Sequence, residues 1–414
     1  MFSNLASVAG VPFVTPQGDV VSRPGYHQKT GVYLALHSVD EPDIPNAPDR
    51  AQLVAALRQV WRPWASFKFA GSDDRGAMLG TILGAVCRPA LPTAPGTMFD
   101  APVQGSGKTL AAEAVATLVR GVRGVAPWST GQGAEAEMVK RLVSLCLEGS
   151  QALVLDNIKG HFDSNVLAAF LTSGRLEGER ILGGNATFSG EARMVMLGTS
   201  NNANLSRDLA RRFLRVRIDT GTETPQALSY GFDPVERALD ERLGIGAAAC
   251  TLLAGFYAAG APMTGRGEAG FPAWSRMIRG CVLWLQAEGL TEEAGIGPVG
   301  DPATSILEDA GNDDPDQIAL GQLLRGLHGI FAGGEPFTSA DVLALWKGGG
   351  GAGEACADVV EGLGEMLSGG KRDHTALTIG RALSNRRDRI TGGLVMRACG
   401  KDRRDKQLWT VTES

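Results

Sequence analysis

The chain has 414 residues, of which 43% are apolar and 21% are charged, and its formal net charge is −5, a balance typical of a soluble globular protein with two or three domains. The six cysteines lie far apart without a C-x-x-C pair, which argues against a zinc site or a disulfide framework and favours a cytoplasmic location. No apolar run reaches the ~18 residues of a membrane span and the first residues lack the basic start of a signal peptide, so no membrane contact is predicted.

The charge is unevenly distributed along the chain. Residues 371–414 contain eleven Lys or Arg against five Asp or Glu and carry +6, so the preceding residues carry −11. An acidic body followed by a basic end favours contact of that end with nucleic acid. A solvated basic surface without a partner is the alternative on charge alone.

Residues 1–70 are predicted to form an N-terminal segment packed on the domain that follows. They include a strand candidate, TGVYLALHSV at 30–39, and then a linker rich in Pro and Asp at 40–50. The part before the linker is too short for a core of its own, and the alternative is the end of a domain absent from this chain. Apolar spacing predicts helices over 51–64 and 76–89.

Residues 71–220 alternate between strand and helix patterns, which is typical of a mostly parallel sheet with helices on both sides. Buried strands and helices are predicted from apolar runs and from helical spacing, respectively: strands at 97–102, 151–157 and 192–202; helices at 109–121, 135–149 and 164–174, with Ser164 as the N-cap of the last; and a change from helix to strand at Phe213. We therefore predict an α/β fold.

A glycine-rich loop, DAPVQGSGKTL at 100–110, follows the first of these strands and precedes a helix. It ends like a phosphate-binding loop, although Pro102 stands where the full pattern has its first glycine. Proline is tolerated at a strand terminus, so the mechanism survives. Gly105, Ser106 and Gly107 would bring backbone N–H groups to the phosphates of ATP. Lys108 would supply positive charge there, and Thr109 a hydroxyl for Mg²⁺.

A buried strand ending in an acid should hold the metal beside such a loop. ALVLDN places Asp156 at that point. Asn157 follows, where many such ATPases have a glutamate that activates water, and an amide orients water but cannot take its proton. Glu135 or Glu137 could supply the missing base; the alternative for both is a solvated helix face.

Two further polar elements follow in the expected order. LGTSNN ends the next strand with Asn201, beside Asn202, where an amide can contact the γ-phosphate and the attacking water. LARRFL offers Arg211 and Arg212 just before a strand, where an arginine can reach the nucleotide of a neighbouring subunit. A surface ion pair is the alternative for either arginine, and we assign this role, the arginine finger, to Arg212.

With these elements the sequence resembles an AAA+ ATPase: Walker A is PVQGSGKT, Walker B is LVLDN, sensor 1 is GTSNN and the finger segment is LARRF. Between Walker B and sensor 1, the sequence predicts a helix and a β-hairpin that resembles the presensor-1 hairpin of MCM-like and superfamily 3 helicases. The chain is more similar still to the MCM-like replication ATPases of phages, plasmids and genomic islands, over residues 20–330. The resemblance implies a hexamer whose hairpins line a pore and contact DNA.

The hairpin departs from that pattern at its tip. MCM helicases have a lysine near the tip, whereas here the tip is Gly183, Gly184 and Asn185 and the nearest base is Arg180. Either exposed backbone N–H groups contact DNA or the hairpin is a subunit contact. In this family a helical lid supplies a sensor 2 arginine, which we assign to Arg279 in FPAWSRMIRGCVLWL, three residues after Arg276.

The basic end predicts three helices and then a β-hairpin, the order of a winged-helix domain. Its third helix would enter the major groove and its wing would touch phosphates. The basic residues of the helix region and of the wing are Arg381, Arg386, Arg387, Arg389, Lys401, Arg403, Arg404 and Lys406. A winged helix used for protein contacts is the alternative.

These interpretations together predict an N-terminal segment at 1–70, an AAA+ core at 71–220, a helical lid at 221–333 and a winged-helix DNA-binding domain at 334–414. The predicted function is ATP-dependent DNA unwinding or translocation by a ring, with single-stranded DNA in the pore and duplex at the winged helix, in replication of a mobile element beside a primase or another replication protein. A loader or remodeller of another replication protein, and a DNA-binding switch that assembles on ATP but hydrolyses it poorly, remain alternatives.

Overall fold

The computed structural model describes residues 5–36, 42–127, 134–180, 187–222, 231–262, 270–307, 315–348, 353–367 and 375–413. The chain divides into two units, Met1–Asp309 and Ala310–Ser414. The first unit has the following elements: strands β1 (Ser7–Ala9), β2 (Phe13–Val14), β3 (Val20–Val21), β4 (Gly25–His27), β5 (Val32–Leu34), β6 (Gly96–Ala101), β7 (Ala126–Pro127), β8 (Ala152–Ile158), β9 (His161–Phe162), β10 (Arg175–Arg180), β11 (Thr187–Glu191), β12 (Val195–Asn201), β13 (Asn204–Leu205) and β14 (Phe213–Arg217); helices α1 (Arg50–Trp61), α2 (Ser72–Cys87), α3 (Lys108–Arg120), α4 (Ala134–Leu147), α5 (Asn165–Ser173), α6 (Arg207–Ala210), α7 (Pro234–Asp240), α8 (Arg242–Ala258), α9 (Pro272–Trp274), α10 (Gly280–Ala287) and α11 (Leu290–Glu293).

A five-stranded parallel sheet lies at the centre of the first unit, in the order β14-β6-β12-β8-β7. All six residues of β6 are buried, as are the first six of β12. Such unbroken burial is expected of parallel strands with both faces covered. The predicted α/β fold with a parallel sheet is therefore confirmed, and β6 lies inside it, between β12 and β14.

Helices cover this sheet and end where the sequence predicts. The helix α3 stops at Gly121, whose φ of 71° suits glycine and whose N–H donates to the carbonyl of Thr117. Ser164 accepts from the N–H of Leu167 and so caps α5, as predicted. The change from helix to strand at Phe213 is also present, because α6 ends at Ala210 and β14 begins at Phe213.

The N-terminal residues form two small sheets against this body. The strands β1, β5 and β4 make a three-stranded sheet, and β2 pairs with β3. Phe13 is fully buried in a cluster that includes Ala90, and Val11 and Val14 join the main core. The strand predicted at 30–39 is shorter in the structure, because only Val32–Leu34 pairs and residues 37–41 lie outside the described residues.

The region after β14 is helical, as predicted, through α7 to α11. The segment Ser275–Arg279 between α9 and α10 winds as a π-helix. The helix α8 packs on α1, so residues from before and after the sheet share one core.

The second unit has its own elements and its own core. They are helices α12 (Pro315–Ile330), α13 (Ser339–Lys347), α14 (Glu354–Leu367) and α15 (Ala376–Ser384), and strands β15 (Phe337–Thr338), β16 (Ile390–Thr391), β17 (Leu394–Lys401) and β18 (Gln407–Glu413). The strands form a sheet in the order β15-β18-β17-β16. The three helices and long hairpin predicted at the basic end are therefore present.

The boundary between the units differs from the one predicted at 333/334. The helix α12 was assigned to the region 221–333, but it packs against α14. Leu323, Leu324 and Leu327 of α12 are fully buried with Val359 and Leu363 of α14. Helical spacing alone cannot reveal this, since it shows that α12 has an apolar face but not which neighbour covers that face.

Candidate functional site

The glycine-rich loop joins the carboxyl end of β6 to the amino end of α3. Gly105 and Gly107 have φ angles of 83° and 88°, which glycine adopts without strain. A Cβ on Gly107 would lie 2.9 Å from a ring carbon of Phe67, so a side chain does not fit there. Within the described residues, no side chain caps the start of α3. Its first N–H groups and its positive end therefore face the loop, as at an anion site.

Pro102 does not disturb the sheet at this point. The pairing of β6 with β12 ends at Ala101, and its pairing with β14 ends at Asp100. Pro102 lies just beyond both ladders and is exposed, so its missing N–H costs no strand hydrogen bond.

Lys108, the first residue of α3, points into the loop rather than into solvent. Its side-chain nitrogen donates to Asn201 Oδ1 at 2.8 Å, to Ser106 Oγ at 3.2 Å and to the carbonyl of Val103 at 3.3 Å. Burial lowers the pKa of Lys108, and the charges of Asp100 and Asp156 act in the opposite direction. Lys108 and Asn201, 93 residues apart in the sequence, are thus in direct contact.

Thr109 and Asp156 also meet, as the sequence predicts for a metal site. Thr109 Oγ1 donates to Asp156 Oδ1 at 2.7 Å, and Thr199 Oγ1 donates to the same oxygen at 2.8 Å. Hydroxyl and carboxylate oxygens are the ligands that Mg²⁺ prefers. These residues therefore fit a magnesium ion carried with the phosphates.

A β-bulge sets the direction of the Asp156 side chain. The register of β8 against β12 slips between Gly198 and Ser200, so Asp156 and Asn157 face the single residue Thr199. Asn157 takes a φ of 59°, and its N–H donates to Thr199 Oγ1 at 2.9 Å. Bulges of this kind re-aim side chains next to active sites. The backbone conformation therefore favours asparagine over glutamate at position 157, because Asn tolerates the left-handed region better than Glu.

These side chains line one pocket of about 350 Å³. Its walls are the loop from Gln104 to Leu110 together with Asp156, Asn157, Thr199, Ser200 and Asn201. The walls offer backbone N–H groups and an ammonium on one side and carboxylate, hydroxyl and amide oxygens on the other. This donor set can hold a polyphosphate and a hard divalent cation at once.

Arg212 lies at the opposite edge of the sheet. Its carbonyl accepts from the N–H of Gly96, the first residue of β6, whereas the loop follows the last. Six residues of strand separate the two edges by about 20 Å. Arg212 contacts Asp208 through both its carboxylate and its carbonyl and donates to Thr172 Oγ1 at 2.8 Å. Arg211 also contacts Asp208, at 3.4 Å, and is the more exposed of the two, with 45% of its side chain accessible against 22%.

Arg279 is not brought to the pocket formed by the described residues. Its side chain is buried in the π-helical segment, where Nε donates to Asp301 Oδ1 at 2.7 Å and Nη2 contacts the other carboxylate oxygen. A bidentate ion pair of this kind joins the helix to the loop that carries Asp301. Arg276, three residues earlier, is exposed. The sensor 2 role predicted for Arg279 therefore has no geometric support in the chain by itself.

The two glutamates considered as bases lie away from the pocket walls that the structure describes. Glu135 Oε2 accepts from the N–H of Val166 at 3.2 Å, near the start of α5. Glu137 pairs with Lys140 at 3.4 Å on the exposed face of α4. The solvated-face interpretation suits Glu137, and Glu135 supports a neighbouring helix.

Two residues of this region were not singled out from the sequence. Thr199 links Asp156 to Asn157, as described above. Asp100, fully buried in β6, accepts from Arg217 at 3.2 Å, from Arg215 at 3.4 Å and from the N–H of Ala203 at 2.9 Å. The available signal was a polar residue near the end of an otherwise apolar strand, but only the register shows that β14 supplies the two arginines.

The predicted hairpin is present as β10 and β11, which pair antiparallel with Arg180 opposite Thr187. Its tip, with Gly183, Gly184 and Asn185, lies outside the described residues.

The predicted DNA-contacting arginines of the second unit lie on α15, just after it and in the turn of the β17–β18 hairpin. Arg381, Arg387, Arg403 and Arg404 are exposed, and Arg386 is half-buried with Nη1 donating to the carbonyl of Ala382. Asp402 shapes the turn by accepting from the N–H groups of Arg404 and Lys406, both at 2.8 Å. These N–H groups hold the pKa of Asp402 below its usual range.

No family model matches the chain, and no curated protein is significantly similar to it. Solved structures do match. The X-ray structure of the JCV helicase has a TM-score of 0.30 and 15% identity, covering 61% of this chain and 66% of that one, which is slightly less than two thirds of its length. The apo A form of the NrS-1 C-terminal region, residues 305–718, has a TM-score of 0.40 and 11% identity, covering 97% of this chain and 84% of that one. Likeness at this level supports no activity, so function rests on the pocket itself.

Within the described ranges, every helix is too short or too polar to cross a bilayer.

Proposed function

We propose that the protein is an ATP-driven DNA helicase or translocase that works as a ring, most simply a hexamer, in replication of a mobile genetic element. The observation that carries the proposal is the meeting of Lys108, Thr109, Asp156 and Asn201 in one pocket, beside a glycine-rich loop and the uncapped start of α3. These residues come from three separate stretches of the chain. A chance G-x-G-K-T sequence would not gather the other two stretches around it.

The residues of the pocket divide the work of phosphate transfer among them. The N–H groups of Gly105, Ser106 and Gly107 and the Lys108 ammonium would hold the phosphates. Thr109 and Asp156 would hold Mg²⁺, which neutralises charge on the phosphates when bound. Asn201 would orient the γ-phosphate and the attacking water, and the contact of its amide oxygen with the Lys108 ammonium supports this role.

Asn157 would take part in placing water at the edge of the pocket. It is exposed and lines the pocket, but its amide is not a base. Hydrolysis would then depend on positioning and charge stabilisation, which supply most of the rate in phosphoryl transfer.

The position of Arg212 supports a ring. It lies about 20 Å from the loop of its own chain, so it cannot reach its own phosphates. In a ring the same edge can face the pocket of the next subunit, where an arginine stabilises charge in the transition state. Arg212 would have to leave Asp208 for this contact, since the two are paired within the subunit.

Contacts with DNA are proposed for two places. The β10–β11 hairpin would face single-stranded DNA in the pore. The basic second unit would act as a winged-helix domain on duplex DNA, with Arg381, Arg386 and Arg387 in or near the groove and Arg403 and Arg404 on phosphates. The helices after β14 would serve as the lid over the nucleotide.

Asn157 also favours one alternative, a DNA-binding switch that assembles on ATP and hydrolyses it slowly, because the residue cannot accept a proton. A loader of another replication protein remains the third option. ATP turnover with and without single-stranded DNA, measured beside strand displacement on a forked duplex, separates the three. A helicase shows DNA-stimulated turnover and displacement. A loader shows turnover without displacement, and a switch shows ATP-dependent assembly with negligible turnover. Absence of ATP binding would refute all three.

A further inference from the structure

The small N-terminal sheet presents two tyrosines side by side on its outer face. Along β5, Val32 and Leu34 are fully buried while Tyr33 between them is 46% exposed. Tyr26 on the edge strand β4 lies directly opposite Tyr33 in the antiparallel ladder and is 37% exposed. Paired residues on one face have Cβ atoms about 5 Å apart, so the two side chains leave the sheet next to each other.

Two partly exposed tyrosines paired on one face of a sheet form a small aromatic surface. A core role is excluded here, because the buried face of β5 is already filled by Val32 and Leu34. Two adjacent rings on a sheet are the arrangement on which bases of single-stranded nucleic acid stack, whatever their sequence.

The charge around the rings suits a polyanion. The described residues 5–36 contain two basic side chains, Arg23 and Lys29, and one acidic side chain, Asp19. Lys29 forms an ion pair with Asp19 at 3.1 Å. This stretch is therefore net positive within a body that carries −11 before the basic end. His27 also lies beside Tyr26, with its ring nitrogen 2.9 Å from Thr30 Oγ1.

Tyr26 contributes to the walls of two open grooves. One, of about 340 Å³, is lined by Val20 to His27 and so includes Arg23. The other, of about 480 Å³, is lined by Tyr26, Gln28 to Gly31, Ala6, Glu191 and Arg193. A strand of nucleic acid that passes Tyr26 could therefore continue into either groove, and Glu191 is the acid that lines the second one.

Arg193 fastens this sheet to the base of the β10–β11 hairpin. It donates to the carbonyl of Thr30, in the turn between β4 and β5, at 3.3 Å. It also donates to Glu191, the last residue of β11, at 2.8 Å. The two tyrosines are thus held next to the element proposed to contact DNA.

We infer that Tyr26 and Tyr33 form a stacking platform for single-stranded DNA, which guides the strand between the outer surface and the hairpin. The inference rests on the proposed function, since it extends the path of the DNA in that site. The bases would lie on the two rings, while Arg23 and Lys29 would face the phosphates.

The test removes either the tyrosine rings of the protein or the bases of the oligonucleotide and measures binding in each case. Tyr26→Ala, Tyr33→Ala and the double variant would be measured by fluorescence anisotropy against a labelled oligo-dT and an abasic oligonucleotide of equal length, in the full chain without nucleotide. The matched control is the double Tyr→Phe variant, which keeps the rings. Each alanine should weaken oligo-dT binding about 5-fold or more. Phenylalanine should bind like wild type, and no variant should change binding to the abasic strand.

Two results would overturn the platform. One is a double alanine variant that binds oligo-dT within twofold of wild type, as expected if the face serves a protein partner. The other is an equal loss on both oligonucleotides, which would mean a charge or folding effect. Basal ATP turnover should be unchanged in all variants, because neither tyrosine lines the pocket that contains Lys108. If wild type hydrolyses ATP and displaces strands while the alanine variants bind normally, the platform falls and the helicase stands. If wild type binds no single-stranded DNA, both fall.

Discussion

The two edges of the central sheet differ in how complete their chemistry is. At the carboxyl edge, Lys108, Asp156 and Asn201 lie in one pocket with contacts of 2.7–2.8 Å to Thr109 or to each other. At the amino edge, Arg211 and Arg212 are paired with Asp208 of the same chain. Under the proposed function, the carboxyl edge would bind nucleotide within one chain, whereas the amino edge would take part in catalysis only through a second subunit.

The difference shows which kind of functional residue the structure of a single chain can identify. Residues that converge on a ligand within one chain reveal themselves by their mutual contacts. A residue that acts on the site of another subunit is seen in a single chain only with its contacts inside that chain, and these contacts resemble an ordinary surface ion pair. The two edges therefore need different experiments.

The largest effect is expected at the carboxyl edge. Lys108→Ala should remove ATP binding or turnover, by at least about 10³-fold, because it deletes the charge that faces the phosphates. The fold should survive, since the side chain faces the pocket and not the apolar core. The matched control is Lys140→Ala, on an exposed lysine of α4 paired only loosely at 3.4 Å. Unchanged turnover in Lys108→Ala would refute the nucleotide site.

The amino edge can be tested by complementation between subunits. Arg212→Ala should keep ATP binding and lose about 10³-fold in turnover. Mixing it with Lys108→Ala should partly restore turnover, because a mixed ring can hold an intact pocket facing an intact Arg212.

Two controls sharpen this result. Asp208→Asn weakens the resting pair but leaves Arg212 in place, so turnover should fall little. Arg211→Ala should also keep turnover within about twofold. If Arg211→Ala instead shows the loss, the finger is Arg211; if mixed rings form and restore nothing, neither arginine acts on a neighbour, or turnover needs every site in the ring.

Arg279 belongs to neither edge, and its variant should change stability rather than rate. Arg279→Ala leaves Asp301 without its partner in a largely buried position, which should cost about 3 kcal/mol in the free energy of unfolding. Chemical denaturation measures this cost. A variant with wild-type stability and a lower kcat would contradict the structural role and restore the sensor 2 assignment.

Asn157 tests whether the carboxyl edge includes the water-placing amide. Asn157→Gly keeps the φ of 59° without strain and removes the side chain with its amide, so turnover should fall about tenfold at nearly unchanged stability. Asn157→Ala should in addition cost ~1 kcal/mol in the free energy of unfolding. Full turnover in the glycine variant would mean that the asparagine serves the bulge alone.

The smallest effect is expected away from the sheet, in the second unit. The double variant Arg403→Glu and Arg404→Glu should weaken duplex binding about tenfold at physiological salt and flatten its salt dependence, with basal turnover unchanged. Arg325→Ala, on an exposed arginine of α12, is the control. Equal affinity and equal salt slope for wild type and the double variant would favour a protein-contact role for this unit.

The sequence predicted what local patterns and strand order determine. The loop, the acid near the end of β8 and the asparagine that ends β12 could be placed together, because the carboxyl ends of parallel strands share one edge. The bulge could not be foreseen, since it depends on the register of β8 against β12. Nor could the burial of Arg279, since its partner Asp301 is 22 residues away in a loop without a motif. The assignment of α12 to the region 221–333 was wrong for the same reason, because the sequence shows the apolar face of this helix but not that α14 covers it.

The position of β6 inside the sheet also governs when the pocket can form during synthesis. The only neighbours of β6 in the described sheet are β12 and β14, and Thr97 pairs with Leu197 while Gly96 pairs with Phe213. At 5–20 residues per second, the ribosome needs about 5–20 s to deliver the first of these partners. Until then this fully buried strand has no ladder, and β8, which carries Asp156, is not held near its loop because β12 lies between the two strands. The pocket around Lys108 is therefore completed late in translation, because a nascent chain that lacks β12 and β14 carries the whole loop without the strands that hold β6 in place.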